Sequence, residues 1–212
     1  EAKRIVDSGE TGKLLWMRGI YGKAGSIDYD QNWRNYRKYS GGGILIDQGI
    51  HMLDLIRYFS KQKFNKISSH ITTAYWNINV EDNAFIIMES ENNVIASVHS
   101  SATQWKHKFL LEMCFEEGYI NLDGILSGTR SYAPEKLVIG RREFEDITFA
   151  MGKPKENTTW FENDDSWKLE VEEFITAILD GSKIEHGTST DAFETLNLVE
   201  RIYENSGFYN DK

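Results

Sequence analysis

Hydrophobic residues recur along this chain with two different periods. Between residues 44 and 59 apolar positions repeat every three or four residues, which is the spacing of one helix face. Between residues 66 and 123 apolar and polar residues alternate in short runs, which is typical of strands. The alternation predicts strands over residues 66–76, 81–89, 93–105, 107–117 and 118–123, with tight turns at Glu91-Asn92-Asn93 and Glu117-Gly118.

The last third of the chain predicts further strands and two helices. Residues 135–150 have weak alternation and predict one or two strands. A helix over about 164–180 is predicted with Asn163 or Asp164 as its cap and Gly181 as its end, and another over about 190–206 ends before Gly207. The predicted fold class is α+β: an open, predominantly antiparallel sheet with helices packed on one face.

The helix between residues 44 and 59 carries one narrow polar stripe. At about 100° per residue, Asp47, His51, Asp54 and Tyr58 fall within roughly a sixth of its circumference. Apolar residues occupy most of the rest, which predicts a mostly buried helix. The stripe is then either a structural Asp47–His51 pair or a site with chemistry to perform, since buried charged groups need partners or a function.

The i,i+4 spacing of Asp47 and His51 also fits two metal ligands, with Asp54 as a third. Metal sites usually recruit more histidine or cysteine ligands, so we predict no metal here. The other histidines show no zinc-ligand spacing among themselves; they are His70, His99, His107 and His186.

The residues around this stripe resemble a known family. Gly41-Gly42-Gly43 followed by Asp47, Gly49, His51 and Asp54 closely resembles the signature in the C-terminal domain of the Gfo/Idh/MocA family of NAD(P)-dependent sugar and cyclitol oxidoreductases. The resemblance extends over most of the chain. It includes the segments Asp7–Leu14, Asn32-Trp33-Arg34, Val80–Ala84 and the last two predicted helices.

The resemblance implies a hydride transfer between a secondary alcohol and NAD or NADP. It implies that His51 is the general acid/base and that Asp47 orients it or binds the substrate, which would be a sugar, a cyclitol or a nucleotide sugar. The predicted substrate-binding residues are Trp33, Arg34 and Asp54 from the resemblance, and Gln104 and Lys106 from their place at a strand end. The alternative is a non-catalytic carbohydrate-binding or assembly domain of the same fold.

The family's N-terminal Rossmann domain has no counterpart in this sequence. No GxGxxG occurs, and Gly41-Gly42-Gly43 follows a loop instead of a strand. We expect residues 1–12 to be the tail of a helix that enters from such a domain and stops at Gly9, and residues 13–212 to form the substrate domain. The family's oligomers further imply a homo-dimer or homo-tetramer through the sheet face.

The composition limits the classes of ligand and the cellular compartment that we expect for this protein. The net charge of -9 makes nucleic-acid binding unfavourable, because phosphate contacts need a basic face. The segment from Lys23 to Ser40 is locally basic, and we expect it to hold an anionic part of substrate or cofactor, mainly through Arg34. The single cysteine, Cys114, excludes intrachain disulfides and fits a reducing compartment. We therefore predict a cytoplasmic protein that contacts no membrane.

We predict that residues 1–212 alone neither bind a dinucleotide tightly nor turn substrate over. The sequence lacks the glycine-rich turn on which a pyrophosphate binds at a helix N-terminus. Calorimetry with NAD and NADP should detect no tight binding. Low-micromolar affinity for either dinucleotide would contradict the prediction.

Overall fold

The computed structural model describes residues 1–142 and 155–209 as one sheet flanked by helices. The strands are β1 Leu14–Gly22, β2 Phe64–Thr72, β3 Asn83–Ser90, β4 Ile95–Ser101, β5 Lys108–Phe115, β6 Gly118–Asp123, β7 Glu135–Arg141 and β8 Glu156–Phe161. The helices are α1 Ala2–Ser8, α2 Arg37–Ser40, α3 Ile50–Ser60, α4 Ser166–Asp180 and α5 Ser189–Ser206. Short 3₁₀ turns occupy Tyr29–Gln31 and Trp33–Asn35, and a π-helical turn, Leu45–Gly49, leads into α3.

The eight described strands lie in the order β2-β3-β4-β1-β5-β6-β7-β8. Only β1 and β4 are parallel neighbours among the described pairs, so the sheet is predominantly antiparallel as predicted. The predicted turns after β3 and β5 are confirmed, with Asn93 at φ 62 in the first. β8 was not predicted, and the part of the 135–150 prediction beyond residue 142 lies outside the described residues.

The core lies between one face of the sheet and two helices. Met17 of β1, Val98 of β4 and Leu111 of β5 pack with Met52 of α3 and Val199 of α5, and all five are buried. Alternation places these strand residues on one face, so the sheet contributes every second side chain to this core. The predicted α+β fold is confirmed.

α4 does not join this core. None of its residues is buried, and its large apolar side chains from Trp167 to Leu179 are 48 to 76% exposed. Glu173 connects the helix to the next loop by accepting hydrogen bonds from the backbone N–H groups of Glu185 and His186. The expectation that the helices pack on the sheet therefore holds for α3 and α5 and is wrong for α4.

The helix that carries the polar stripe begins on a buried carboxylate. Glu81 is fully buried, and its oxygens accept the backbone N–H groups of Gly43 and Leu45 at 3.0 Å. The phenols of Tyr203 and Tyr209 also donate to it, each at 2.7 Å. Burial, reinforced by the Glu81 charge, raises the pKa of both phenols, so both remain donors at neutral pH. Four donors, with the Gly43 N–H shared between both oxygens, thus compensate the cost of burying this charge.

The expectation of a mostly buried helix with a buried stripe is wrong. Met52, Leu53 and Ile56 are buried, but His51, Asp54 and Tyr58 lie on the exposed side of α3. The π-helical turn also separates Asp47 from the regular helix. A π turn adds a residue to the helical repeat, so angles calculated for a continuous α-helix do not apply across it.

We predict that Gly43→Ala lowers the free energy of unfolding by about 2 kcal/mol or more. A Cβ at this position would overlap the backbone of Glu81, which cannot move without breaking the hydrogen bonds above. Urea unfolding of both proteins measures the change. Gly128→Ala is the control, because nothing lies within 4 Å of a Cβ there. Equal effects of the two substitutions would contradict the prediction.

Candidate functional site

The candidate site lies at the sheet edge where β1 and β4 end. Because these strands are parallel, the residues after Gly22 and after Ser101 meet at the same edge. The Lys23 N–H donates to the Ser101 carbonyl at 2.7 Å, and the Gln104 N–H donates to the Lys23 carbonyl at 3.2 Å. The segments that follow the two strands are therefore fastened together.

Asp47 lies at this edge between two cations. Its Oδ2 accepts a hydrogen bond from Lys23 Nζ at 2.7 Å, and its Oδ1 lies 3.9 Å from Arg34 Nε. The side chains of Asp47 and Lys23 are each 28% exposed. Asp47 thus offers an acceptor between two cationic side chains, in a partly open position.

His51 follows Asp47 by four residues but does not pair with it. Among the described residues no hydrogen bond joins the two side chains, so the expected orienting contact is absent from this conformation. The His51 ring is exposed and lies 6.3 Å from the Tyr21 ring, measured between centroids. The imidazole is open to an incoming ligand and to solvent.

Two phenols line the site beside His51. The Tyr132 hydroxyl donates to Gln48 Oε1 at 3.2 Å, and its ring meets Tyr21 edge to face at 5.3 Å. Burial, with a smaller contribution from the Asp47 charge, raises the pKa of Tyr21 and of Tyr132. Both phenols therefore stay protonated at neutral pH and can donate hydrogen bonds.

His107 joins the same cluster, although sequence reasoning gave it no role. Its ring meets Tyr132 edge to face at 4.8 Å. Burial, together with the positive charge of Lys23, lowers its pKa below the usual value for histidine. It is therefore neutral at physiological pH. No spacing signal connects His107 to Asp47, since only the fold of β5 brings the two segments together.

The structure places the basic 3₁₀ turn next to Asp47. The Arg34 guanidinium lies 4.7 Å from the Trp33 ring centroid, and the Arg34 N–H donates to Asn32 Oδ1 at 3.0 Å. About half of the Arg34 and Trp33 side chains is exposed. Arg34 therefore lies at the rim of the candidate site, with Trp33 beside it.

The remaining predicted residues are divided between two places. Gln104 packs against Gly22 and lies at the site edge, and Lys106 is exposed two residues further along. Asp54 instead accepts a hydrogen bond from Thr195 of α5 at 2.9 Å and lies 3.7 Å from Arg57. It borders a cleft of about 580 Å³ between α3 and α5. Its described contacts therefore separate it from Asp47.

The sequence also raised the questions of a metal site and of a membrane-spanning helix. Within residues 1–142 and 155–209, no group of three His, Cys, Asp or Glu side chains is placed to hold a metal ion. Across the same residues, we find no helix with the length and apolar character needed to cross a bilayer.

A family model described as the GFO/IDH/MocA C-terminal domain matches residues 1–121. The chain belongs to this family. Inositol 2-dehydrogenase of Corynebacterium glutamicum (strain R) is 22% identical over 161 residues, covering 74% of this chain and 45% of the relative. The scyllo-inositol 2-dehydrogenase (NAD(+)) of Bacillus subtilis (strain 168) is 26% identical over 218 residues, covering 99% of this chain and 56% of the relative.

Solved structures show the same GFO/IDH/MocA fold. Levoglucosan dehydrogenase, in complex with NADH and levoglucosan, superposes with a TM-score of 0.80 at 17% identity. The match covers 97% of this chain and 60% of that protein. An aldose-aldose oxidoreductase from Caulobacter crescentus, complexed with glycerol, gives a TM-score of 0.77 at 18% identity. The chain spans about half the length of the curated relatives that it matches.

We predict that Lys23→Met raises the pKa of His107. Removing the positive charge of Lys23 makes the imidazolium less unfavourable, while burial of the ring stays the same. Proton NMR titration of the histidine rings measures the shift. His99 is the matched control, because burial alone lowers its pKa. A His107 pKa that does not respond would show that Lys23 does not act on this cluster.

Proposed function

We propose that this chain is the substrate-binding and catalytic half of a dehydrogenase that acts on a secondary alcohol of a sugar, cyclitol or nucleotide sugar. The observation that carries the proposal is the open His51 imidazole beside the ion-paired Asp47, at the edge where β1 and β4 end. The relatives named above are dehydrogenases of inositols, which supports the substrate class.

His51 is the proposed general base. Oxidation of a secondary alcohol to a ketone removes a proton from the hydroxyl oxygen and a hydride from the carbon that carries this hydroxyl. Imidazole titrates near neutral pH and accepts such a proton efficiently. Because His51 is exposed, a substrate hydroxyl can reach the ring and the proton can pass on to water.

Asp47 and its cations are proposed to hold the substrate. The hydrogen bond from Lys23 to Oδ2 fixes the carboxylate, which can accept a further hydrogen bond from a hydroxyl of the substrate. Arg34, with Trp33, Gln104 and Lys106, forms the proposed rim that binds the remaining polar groups. Arg34 suits an anionic group such as the phosphate of a nucleotide sugar, because its planar guanidinium can donate two parallel hydrogen bonds to one phosphate.

The nicotinamide cofactor, NAD or NADP, would supply the hydride acceptor when bound. The residues of this chain do not fit its pyrophosphate. The glycine-rich turn before α3 resembles such a site only in composition, because the N–H groups of Gly43 and Leu45 already bind Glu81. We therefore propose that a Rossmann domain outside this chain holds the dinucleotide, as the greater length of the relatives allows.

The exposed helical surface is the proposed contact for that domain. His186 links α4 to α3, since it binds Glu173 at 3.1 Å and its ring lies 6.5 Å from the Tyr58 ring. The apolar row of α4 and the exposed stripe of α3 therefore lie on neighbouring surfaces. A second domain that covers α4 would remove a large apolar area from water.

Association through the other sheet face is also part of the proposal. Trp16, Phe85, Ile87 and Ile95 each expose 40 to 57% of their surface. Trp16 pairs with Ile95 across β1 and β4, so these residues share one face of neighbouring strands. We propose a homo-dimer or homo-tetramer through this face, in the cytoplasm.

We predict that His51→Asn in the full-length natural protein lowers the catalytic constant by about 10²–10⁴. Asparagine keeps a hydrogen-bond donor of similar size but cannot take the proton. Nicotinamide absorbance with an inositol and sugar panel measures turnover, and dinucleotide binding should be retained.

The matched control for this test is His186→Asn, because His186 is exposed and contacts Glu173 outside the site. Its turnover should fall far less than that of His51→Asn, because His186 borders the proposed domain contact but takes no part in the proton transfer. A stable His51→Asn protein with near wild-type turnover would remove the catalytic role of His51.

A further inference from the structure

An aromatic pair stands exposed on the segments that follow β2 and β4. The Tyr75 and Trp105 rings meet edge to face, with centroids 4.8 Å apart. Tyr75 is 66% exposed and Trp105 is 58% exposed. Trp76 supports both, with centroids 5.1 Å from Tyr75 and 5.9 Å from Trp105. We refer to Tyr75 and Trp105 as the aromatic platform.

The loop that carries Tyr75 is held by a buried carboxylate. Asp82 is fully buried, and its oxygens accept the consecutive N–H groups of Ala74, Tyr75 and Trp76 at 2.7 to 3.0 Å. The Trp76 Nε1 also donates to the Ala102 carbonyl at 2.9 Å. These contacts fix the backbone beneath an exposed ring, so little flexibility would be lost when a ligand binds.

Trp105 has an unusual backbone for a bulky residue. Its φ is 55, in the left-handed region that side chains with a Cβ rarely adopt. Residues held in such a conformation cluster at binding sites and switch regions. Here the conformation leaves the indole more than half exposed beside Tyr75.

One short loop connects the platform to the candidate site. Gly25 passes so close to the Trp76 ring that a Cβ at this position would overlap it. Lys23, two residues earlier, binds Asp47 with its side chain and Gln104 with its backbone carbonyl. Gln104 directly precedes Trp105. The platform is therefore a wall next to the Asp47 site, built from segments that the site also uses.

We propose that Tyr75 and Trp105 form a stacking subsite for the C–H face of a sugar or cyclitol ring. Aromatic faces carry negative electrostatic potential and attract the polarised C–H groups of such rings, and contact buries apolar surface on both partners. The substrate class rests on the proposed function above. The subsite is specific for closed rings, since an open polyol such as glycerol has no flat C–H face.

The test uses the full-length natural protein and equilibrium binding, which needs no turnover. Saturation-transfer NMR with scyllo-inositol, levoglucosan and glycerol gives the dissociation constant of each probe. Trp105→Ala and Tyr75→Ala should each weaken binding of the ring probes about tenfold, the scale of one aromatic contact. Trp105→Phe should retain most of the affinity, and weak binding of glycerol should not change.

Trp160→Ala is the matched control, because Trp160 is also 58% exposed but lies on β8. It should leave all dissociation constants unchanged. In kinetics, the platform variants should raise the Michaelis constant for a ring substrate and leave the catalytic constant within about twofold.

Several results would overturn the proposal. One is a wild-type protein that binds no ring probe; another is ring affinity that the platform variants do not alter. Unchanged affinity with a smaller mass by light scattering would assign the platform to contact between subunits. Binding that depends on the platform in a protein without dehydrogenase activity would support the subsite and contradict only the proposed function.

Discussion

The buried Glu81 carboxylate is the interaction on which the site depends most. It joins three parts of the chain that are distant in sequence: the segment entering β3, the turn that begins the signature helix, and the C-terminal helix with the residues after it. A charge in an apolar interior is unfavourable unless all of its acceptor positions are used. Because Glu81 satisfies Gly43 and Leu45, the position of the following turn, and therefore of Asp47, is set by this one group.

The sequence was sufficient for most of the fold. Alternation located β2 to β6 because each buries one face, and Gly181 and Gly207 marked helix ends through their left-handed caps. It misjudged the exposure of α4, because an apolar row looks the same whether its partner is the sheet or something else. β8 was missed because its residues are mostly exposed and carry little alternation.

The site was predictable only in part. Asp47, His51 and Arg34 were proposed as site residues from a local signature, and the structure places Asp47 within 3.9 Å of Arg34, with the exposed His51 four residues later. The partners of Asp47 could not be found in this way. Lys23 follows β1, and the nearby Tyr132 and His107 lie in the loops that precede β7 and β5, so their proximity is a property of strand order. The angles calculated for a continuous α-helix were also wrong across the π turn, because the sequence carries no signal for this wider turn.

Glu81 and its neighbour Asp82 each fix a different backbone segment near the site. One buried acid fixes the start of the signature helix, and the other fixes the loop that carries Tyr75. Neither depends on what the exposed side chains above it are, because both bind backbone N–H groups.

The parallel pairing of β1 and β4 has an evolutionary consequence. It brings the ends of two strands together while all the other described pairs run antiparallel. The segments that leave those ends are loops, which tolerate more change than the strands, while the main core lies behind them on the covered face of the sheet. Changes in these two neighbouring loops can thus alter the surface at this edge while the sheet and the helices behind it keep their packing.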